Sequence, residues 1–215
     1  MHKSDSWNSH YTRDKSVLIY PDETLVRMMS PVLKTHSPAG VTAVDLGCGT
    51  GRHLKYMIES GIGTVAGLDF SMNALRVCSE LYPESLLVQG DNTALPFAAD
   101  SIDFAVAWGS LHYCVKEDMH TIISEIYRVL KPGGMLFGTL RSARDTMLRS
   151  GRHAGNNVWI TDLKDIRNSV VSFYDEEELN GALTPFTRHR YGIMERSTLG
   201  DITRTISHWY FEAVK

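Results

Sequence analysis

Asp45 stands two residues before Gly47, the first of three alternating glycines (Gly47, Gly49 and Gly51), and Arg52 and His53 follow directly. Glycine carries no Cβ, so such a loop can turn sharply and bring its backbone against a ligand. The dinucleotide fingerprint G-x-G-x-x-G would put its third glycine at position 52, where this chain has Arg52. An aspartate this close to the loop repels a pyrophosphate and attracts an ammonium group. The pattern therefore points away from NAD and toward a zwitterionic nucleoside. The plainer reading of Asp45 is an acid that caps a helix or orders the loop.

More of the chain follows the same theme. The run VDLGCGTGRH (residues 44–53) resembles motif I of the class I S-adenosylmethionine-dependent methyltransferases. GLDFS (67–71) resembles motif II, QGDNTALPF (89–97) motif III and SIDFAVAWGSLH (101–112) motif IV. EIYRVLKPGG (125–134) is similar to the segment entering the fifth strand. The five occur in family order, and the nearest flavour is the ubiquinone/menaquinone-methyltransferase-like (type 11) group. The resemblance implies an α/β, doubly wound, mostly parallel seven-stranded sheet of the Rossmann-like methyltransferase fold. It also implies S-adenosylmethionine as methyl donor and S-adenosylhomocysteine as product, and says nothing of the acceptor.

Open α/β sheets bind ligands beyond the carboxyl ends of their strands, and each motif ends a strand there. Asp45 and the backbone of Gly47, Gly49 and Gly51 then face the methionyl end of the cofactor. Asp69 can accept both ribose hydroxyls, the role of an acid about 20 residues past a glycine loop. Phe70 and Met72 can pack on the adenine, or belong to the core. Asp91 can accept from the adenine amine, and the Asn92 backbone N–H can serve a ring nitrogen. Trp108 can stabilise a sulfonium by a cation–π contact worth about 1 kcal/mol, or bridge sheet and helix as a core residue. Tyr11, in a segment that folds over the cofactor in this family, can touch the methionine carboxylate or pack in the cap.

These groups need strands and helices to hold them. Residues 1–39 read as an N-terminal cap whose helix, capped by Asp22, runs from Glu23 to about Lys34. The remainder, residues 40–215, reads as one domain. Residues 41–46 are a near-continuous apolar run, the type buried on both faces of a parallel sheet. Helices over 52–60 and 71–81 alternate with strands over 64–69, 86–89 and 102–107. A long amphipathic helix ends at Lys131-Pro132-Gly133-Gly134, and a fifth strand spans 135–140. Residues 141–190 form an insertion, arginine-rich and full of turn formers at first, with a short helix after Asp175. A final hairpin over 188–196 and 206–214 completes the seven strands. Such alternation with short connections implies right-handed βαβ units.

Composition narrows the chemistry. The 215 residues carry a net charge of -3, without the basic field that nucleic-acid binding uses. No apolar run approaches the roughly 18 residues of a membrane span, and no apolar stretch follows the N-terminus, so a cytoplasmic protein is expected. The three cysteines, Cys48, Cys78 and Cys114, are odd in number and form no C-x-x-C pair. They read as reduced and buried, and no metal is expected.

Methyl transfer from a sulfonium needs alignment, exclusion of water and at most the removal of one proton. His112, His153 and His189 are the candidate general bases, since imidazole titrates near neutral pH. Helix-start packing is the alternative for His112. The arginines of 141–152 can hold an anionic acceptor or simply line a solvated loop. The expected activity is methyl transfer to an oxygen of a small molecule. N- or C-methylation and a non-catalytic cofactor-binding module remain open, and NAD-dependent redox chemistry is disfavoured by Arg52.

Overall fold

The apolar run after residue 40 becomes β1 (Thr42–Leu46), and its last four residues are all buried, as a strand covered on both faces requires. A computed structural model describes residues 3–12 and 16–215, with the side chains of the first helix described from residue 6. The parallel strands around β1 are β2 (Thr64–Asp69), β3 (Leu86–Gln89), β4 (Ile102–Ala107) and β5 (Leu130–Arg141). A terminal hairpin, β9 (Arg188–Thr198) and β10 (Asp201–Val214), pairs through β10 antiparallel to both β5 and β9. The seven-stranded order is β3-β2-β1-β4-β5-β10-β9. The doubly wound, Rossmann-like sheet expected from the motifs is therefore present, with β1 at its interior.

Helices cover both faces. On one side α2 (Glu23–Leu33), α3 (Arg52–Glu59) and α4 (Met72–Leu81) bury Leu25, Met29, Leu54, Met57 and Cys78 against Phe104 and Phe137. On the other, α5 (Lys116–Val129) and α6 (Glu176–Leu183) bury Ile122, Ile126, Leu179 and Leu183 against Leu46, Leu136 and Phe211. Local capping fixes where helices begin. The Asp22 carboxylate accepts from Thr24 N (3.0 Å), Ser71 Oγ from Ala74 N (3.2 Å), and Asp175 from Glu178 N (2.9 Å) in a reciprocal capping box.

Three features depart from the sequence expectation. The fifth strand begins at Leu130, because Leu130 pairs with Ile102 and the register then shifts so that Met135 meets Phe104. The Pro-Gly-Gly segment is thus a bulge inside the strand, and its Gly133 and Gly134 bond the backbone of Lys215. Residues expected as turns hold a second, antiparallel sheet of β6 (Gly151–Gly155), β7 (Val158–Thr161) and β8 (Val170–Ser172). Asn156 and Asn157, both with positive φ (45° and 53°), turn β6 into β7, a two-residue hairpin that asparagine tolerates. All five β6 residues are exposed, so no alternation betrayed the strand.

The two N-terminal helices do different things. α2 belongs to the sheet core, whereas α1 (Lys3–His10) is tied to the start of α4. Ser71 Oγ donates to Asn8 Oδ1 (2.8 Å) and Asn73 Nδ2 donates to the Asn8 carbonyl (3.0 Å). Of the expected 1–39 cap, residues 1–2 and 13–15 lie outside the described residues. Among the described residues no helix is long and apolar enough to cross a membrane.

Candidate cofactor crevice

The glycine loop leaves β1 at the carboxyl edge of the sheet and bends over the end of β2. Gly47 N and Cys48 N both donate to the Leu68 carbonyl, at 2.7 and 3.0 Å. Gly49 N donates to Asp69 Oδ2 (2.9 Å), while Ser71 N donates to Asp69 Oδ1 (2.8 Å). Asp69 therefore pins the loop to α4, with both carboxylate oxygens already accepting backbone N–H groups. Gly47 and Gly49 both have positive φ, 75° and 54°, where a side chain is strained. A Cβ at Gly47 would meet Ser110 Cβ at 2.4 Å, and one at Gly49 would meet Tyr11 Oη at 2.7 Å.

A crevice runs along this edge. Its inner part, about 70 Å³, is lined by Asp69, Phe70, Asp91 and Asn92 with Trp7 and Tyr11 above. Its outer part, about 670 Å³, lies between the glycine loop, α1 and residues 147–148 and 163–166. The outer volume falls in the usual range of small-molecule sites. Aromatic rings of α1 roof it: Trp7 meets Tyr113 edge-on at 4.7 Å and Phe70 at 6.3 Å. Burial and the nearby Asp69 push the Tyr11 hydroxyl well above its ordinary pKa, so it is a neutral hydrogen-bonding group.

Asp45 lies beneath the loop and is 1% exposed. Neither carboxylate oxygen has a hydrogen-bond partner. His53 Nδ1 stands 3.7 Å from Asp45 Oδ2, beyond hydrogen-bond reach, and His53 Nε2 is likewise buried and unpartnered. A buried carboxylate without a donor costs several kcal/mol, so the arrangement fits an added cationic donor. Asn92 Oδ1 on the inner wall is also buried without a partner. Asp91 Oδ1 accepts Thr93 N and Thr93 Oγ1, both at 2.9 Å, which orders the turn after β3. Asp45, the glycines, Asp69, Phe70, Asp91, Asn92, Tyr11 and Trp108 thus come together at one edge. Trp108 is both a wall of the crevice and part of the α3-side core, 6.4 Å from the His53 ring.

Other expected residues do not join them. Met72 opens α4 with its side chain turned to solvent, 40% exposed, and does not line the crevice. His112 is buried behind the crevice wall with neither ring nitrogen paired, and burial first, then the Arg141 charge, holds its pKa well below the ordinary value. His153 is exposed on β6 against Trp159 (5.2 Å). His189 lies at the opposite, amino edge of the sheet, where β9 begins beside Val214, and its Nε2 is bonded to Asn180 Oδ1 at 2.9 Å. None of the three lines the crevice: His112 is buried, His153 lies on the second sheet, and strand direction puts His189 at the far edge. His189→Ala should accordingly leave any methyl-transfer rate within about twofold, and a larger loss with intact folding would contradict this placement.

Three further residues, among them Tyr113, a weaker general-base candidate from the sequence, join the site. Arg52 and His53, in the first turn of α3, and Tyr113, after β4, all face the crevice. The arginines of 141–152 are mostly engaged: Arg141 pairs with the buried Asp145 (2.6 Å), and Arg149 donates to the Ala143 carbonyl (2.6 Å) while stacking on Phe173. Among the described residues no cluster of metal-ligating side chains occurs.

Comparison with known proteins agrees with the motif series. Residues 44–138 match the family model described as a methyltransferase domain. An uncharacterized methyltransferase of Synechocystis is 38% identical over 96 residues, covering 45% of each chain. The demethylmenaquinone methyltransferase of Anoxybacillus flavithermus is 30% identical, covering 66% of this chain and 61% of that protein. This chain spans about half the length, or less, of the first curated relatives it matches. A crystal structure of an S-adenosylmethionine-dependent methyltransferase from Methanosarcina mazei superposes with a TM-score of 0.68 at 20% identity, covering 86% of this chain and 97% of that one. Motif series, strand order and family match thus agree on a methyltransferase domain over residues 44–138.

Proposed function

We propose that this protein transfers a methyl group from S-adenosylmethionine to an oxygen of a small-molecule acceptor seated in the outer part of the crevice. The observation that carries the reading is the unpartnered, buried Asp45 carboxylate beneath a glycine loop at the carboxyl edge of the sheet. When bound, the cofactor supplies an activated methyl group on a cationic sulfur. Asp45, beside His53, takes the ammonium of the methionyl end, and the loop backbone cradles its carboxylate. Asp69 accepts the ribose hydroxyls with lone pairs left over from Gly49 N and Ser71 N. Asp91 and Asn92 take the adenine edge, and Phe70 packs beside it. Trp108 offers its ring to the positive sulfur, and Trp7, Tyr11 and Tyr113 keep water out. The acceptor lies between α1 and residues 147–166, the two stretches outside the motif series.

Titration calorimetry with S-adenosylmethionine and NAD, followed by methyl-donor turnover over a panel of small acceptors, tests this. Micromolar binding of the first and none of the second is expected. Labelling of protein or RNA with every small acceptor inert would overturn the substrate class.

A pH dependence follows from Asp69. Burial raises its carboxyl from the ordinary value of 3.8 to about 6, against the opposing pull of the Ser71 and Gly49 N–H groups. Because the folded state holds this proton more tightly than the unfolded one, its stabilising contribution is full below about pH 4 and is lost as pH rises to about 6. The change amounts to about 3 kcal/mol. Cofactor affinity, which uses the anion, should move the other way and fall as pH drops from 7 to 5. An Asp69→Asn variant should show a flat affinity profile over that range; an unchanged slope would remove Asp69 from the site.

A further inference from the structure

A side cavity opens from the crevice at Trp108 and Gly109, toward the carboxyl ends of β4 and β5 and the matching end of the β9–β10 hairpin. It holds about 130 Å³, roughly four times a water's share of liquid volume, and is lined by Asp22, Arg52, Thr139, Glu195, Arg196 and His208 among others. Two walls carry guanidinium groups. Arg52, half-buried, forms a wall of both this cavity and the outer crevice, and Arg196 reaches in from β9. Burial pulls the Arg52 pKa down, the Asp22 and Asp45 carboxylates oppose that pull, and the Arg196 charge adds a smaller downward one.

The acids of the cavity are already used by the fold. Asp22 caps α2 through Thr24 N, and Glu195 accepts Ser207 Oγ (3.0 Å) with Arg144 at 3.9 Å. Among the described residues neither the Arg52 nor the Arg196 side chain has a hydrogen-bond or ion-pair partner. Two guanidinium groups that face one small polar space, neither with an acid in hydrogen-bond or ion-pair reach, can together take an anion, and their fork matches a carboxylate.

The remaining titratable group argues in the same direction. Burial, then the Arg141 and Arg196 charges, lowers the His208 pKa to about 3. Its imidazole is neutral at working pH and is far too weak a base to take the proton of an alcohol. An acceptor that arrives already ionised has no such need.

We propose that the acceptor is a carboxylate, its head group held between Arg52 and Arg196 in this side cavity and methylated there to a methyl ester. The inference rests on the methyl-transfer reading above and narrows it to one acceptor chemistry. A carboxylate oxygen lone pair forms the new O–CH₃ bond as the S–CH₃ bond breaks. The bonding pair stays on sulfur, giving neutral thioether product and neutral ester, and no proton changes hands.

The test uses equilibrium binding on the whole protein, saturated with S-adenosylhomocysteine, with malonate, succinate and benzoate as probes and malonamide, succinamide and benzamide as uncharged counterparts. At least one acid should bind, its amide should not, and Arg196→Gln should weaken the acid about tenfold while leaving S-adenosylhomocysteine affinity within twofold. Arg196→Lys should recover part of the loss. Arg196 is exposed, so its substitution spares the fold; Arg52→Gln is the second variant, expected to weaken the acids likewise. A parent protein that fails to bind S-adenosylhomocysteine sinks the methyl-transfer reading and this inference with it. If that product binds but the acids do not bind at millimolar concentration, bind no better than the amides, or are indifferent to Arg196→Gln, the carboxylate assignment alone is wrong.

Discussion

Asp45→Asn is expected to weaken S-adenosylmethionine binding by about a hundredfold or more, while making the cofactor-free protein harder to unfold. The carboxylate is 1% exposed, and neither oxygen has a hydrogen-bond partner. Holding it in that state costs the fold free energy, of the order of 1–3 kcal/mol once relaxation is allowed. Asparagine has nearly the same shape and removes the charge, so that cost shrinks. A ligand ammonium, however, loses the one carboxylate beneath the loop whose oxygens accept no backbone N–H. Truncating one side of a buried, desolvated charge pair costs about 2–5 kcal/mol, and 3 kcal/mol is a little over a hundredfold. Calorimetric titration reads the affinity, and urea unfolding reads the stability through its midpoint at constant slope. Opposite signs in the two measurements identify a residue held for function at the expense of stability. A variant that is less stable and binds normally would make Asp45 a structural acid.

Asp145→Ala should be the most damaging single substitution for folding outside the sheet core, lowering unfolding free energy by about 3–5 kcal/mol. Asp145 is fully buried and holds three groups at once: Arg141 Nη1 (2.6 Å), Leu148 N (3.0 Å) and Ser207 N (2.9 Å). Alanine leaves the Arg141 guanidinium, itself 8% exposed, without a counter-charge, and orphans two backbone N–H groups. The same bonds fasten the end of β5 and the 142–148 turn to β10, so the outer wall of the crevice loosens with them. Replacing both members, Arg141→Met with Asp145→Leu, should recover much of the loss, since no isolated charge then remains. Denaturant midpoints of the two single variants and the double variant give the coupling directly. A loss below 1 kcal/mol for Asp145→Ala would mean that solvent reaches the pair.

Almost everything local in this protein could be read from its residues. The apolar run of β1, the Asp22, Ser71 and Asp175 caps and the glycine loop are each decided by neighbours within a few positions, through backbone sterics and short-range hydrogen bonds. The motif order then carried the sheet, because short βαβ connections allow few topologies. The hairpin at Asn156 and Asn157 was legible in principle, as two residues tolerant of positive φ, yet the strand before it buries nothing and left no periodic trace.

What the sequence did not decide was which side chains meet. His112, His153 and His189 have suitable chemistry, but β9 runs parallel to β5, so its first residues fall at the amino edge and Glu195 and Arg196 at the carboxyl edge. Strand direction thus removed one histidine and supplied one arginine, from the same element. Likewise, Arg141 belongs to a basic segment in the sequence, yet a carboxylate four residues away neutralises it, while Arg52, one position past the last loop glycine, faces the crevice. Pairing and exposure of charges depend on strand register and layer packing between distant segments, and only the folded chain fixes them.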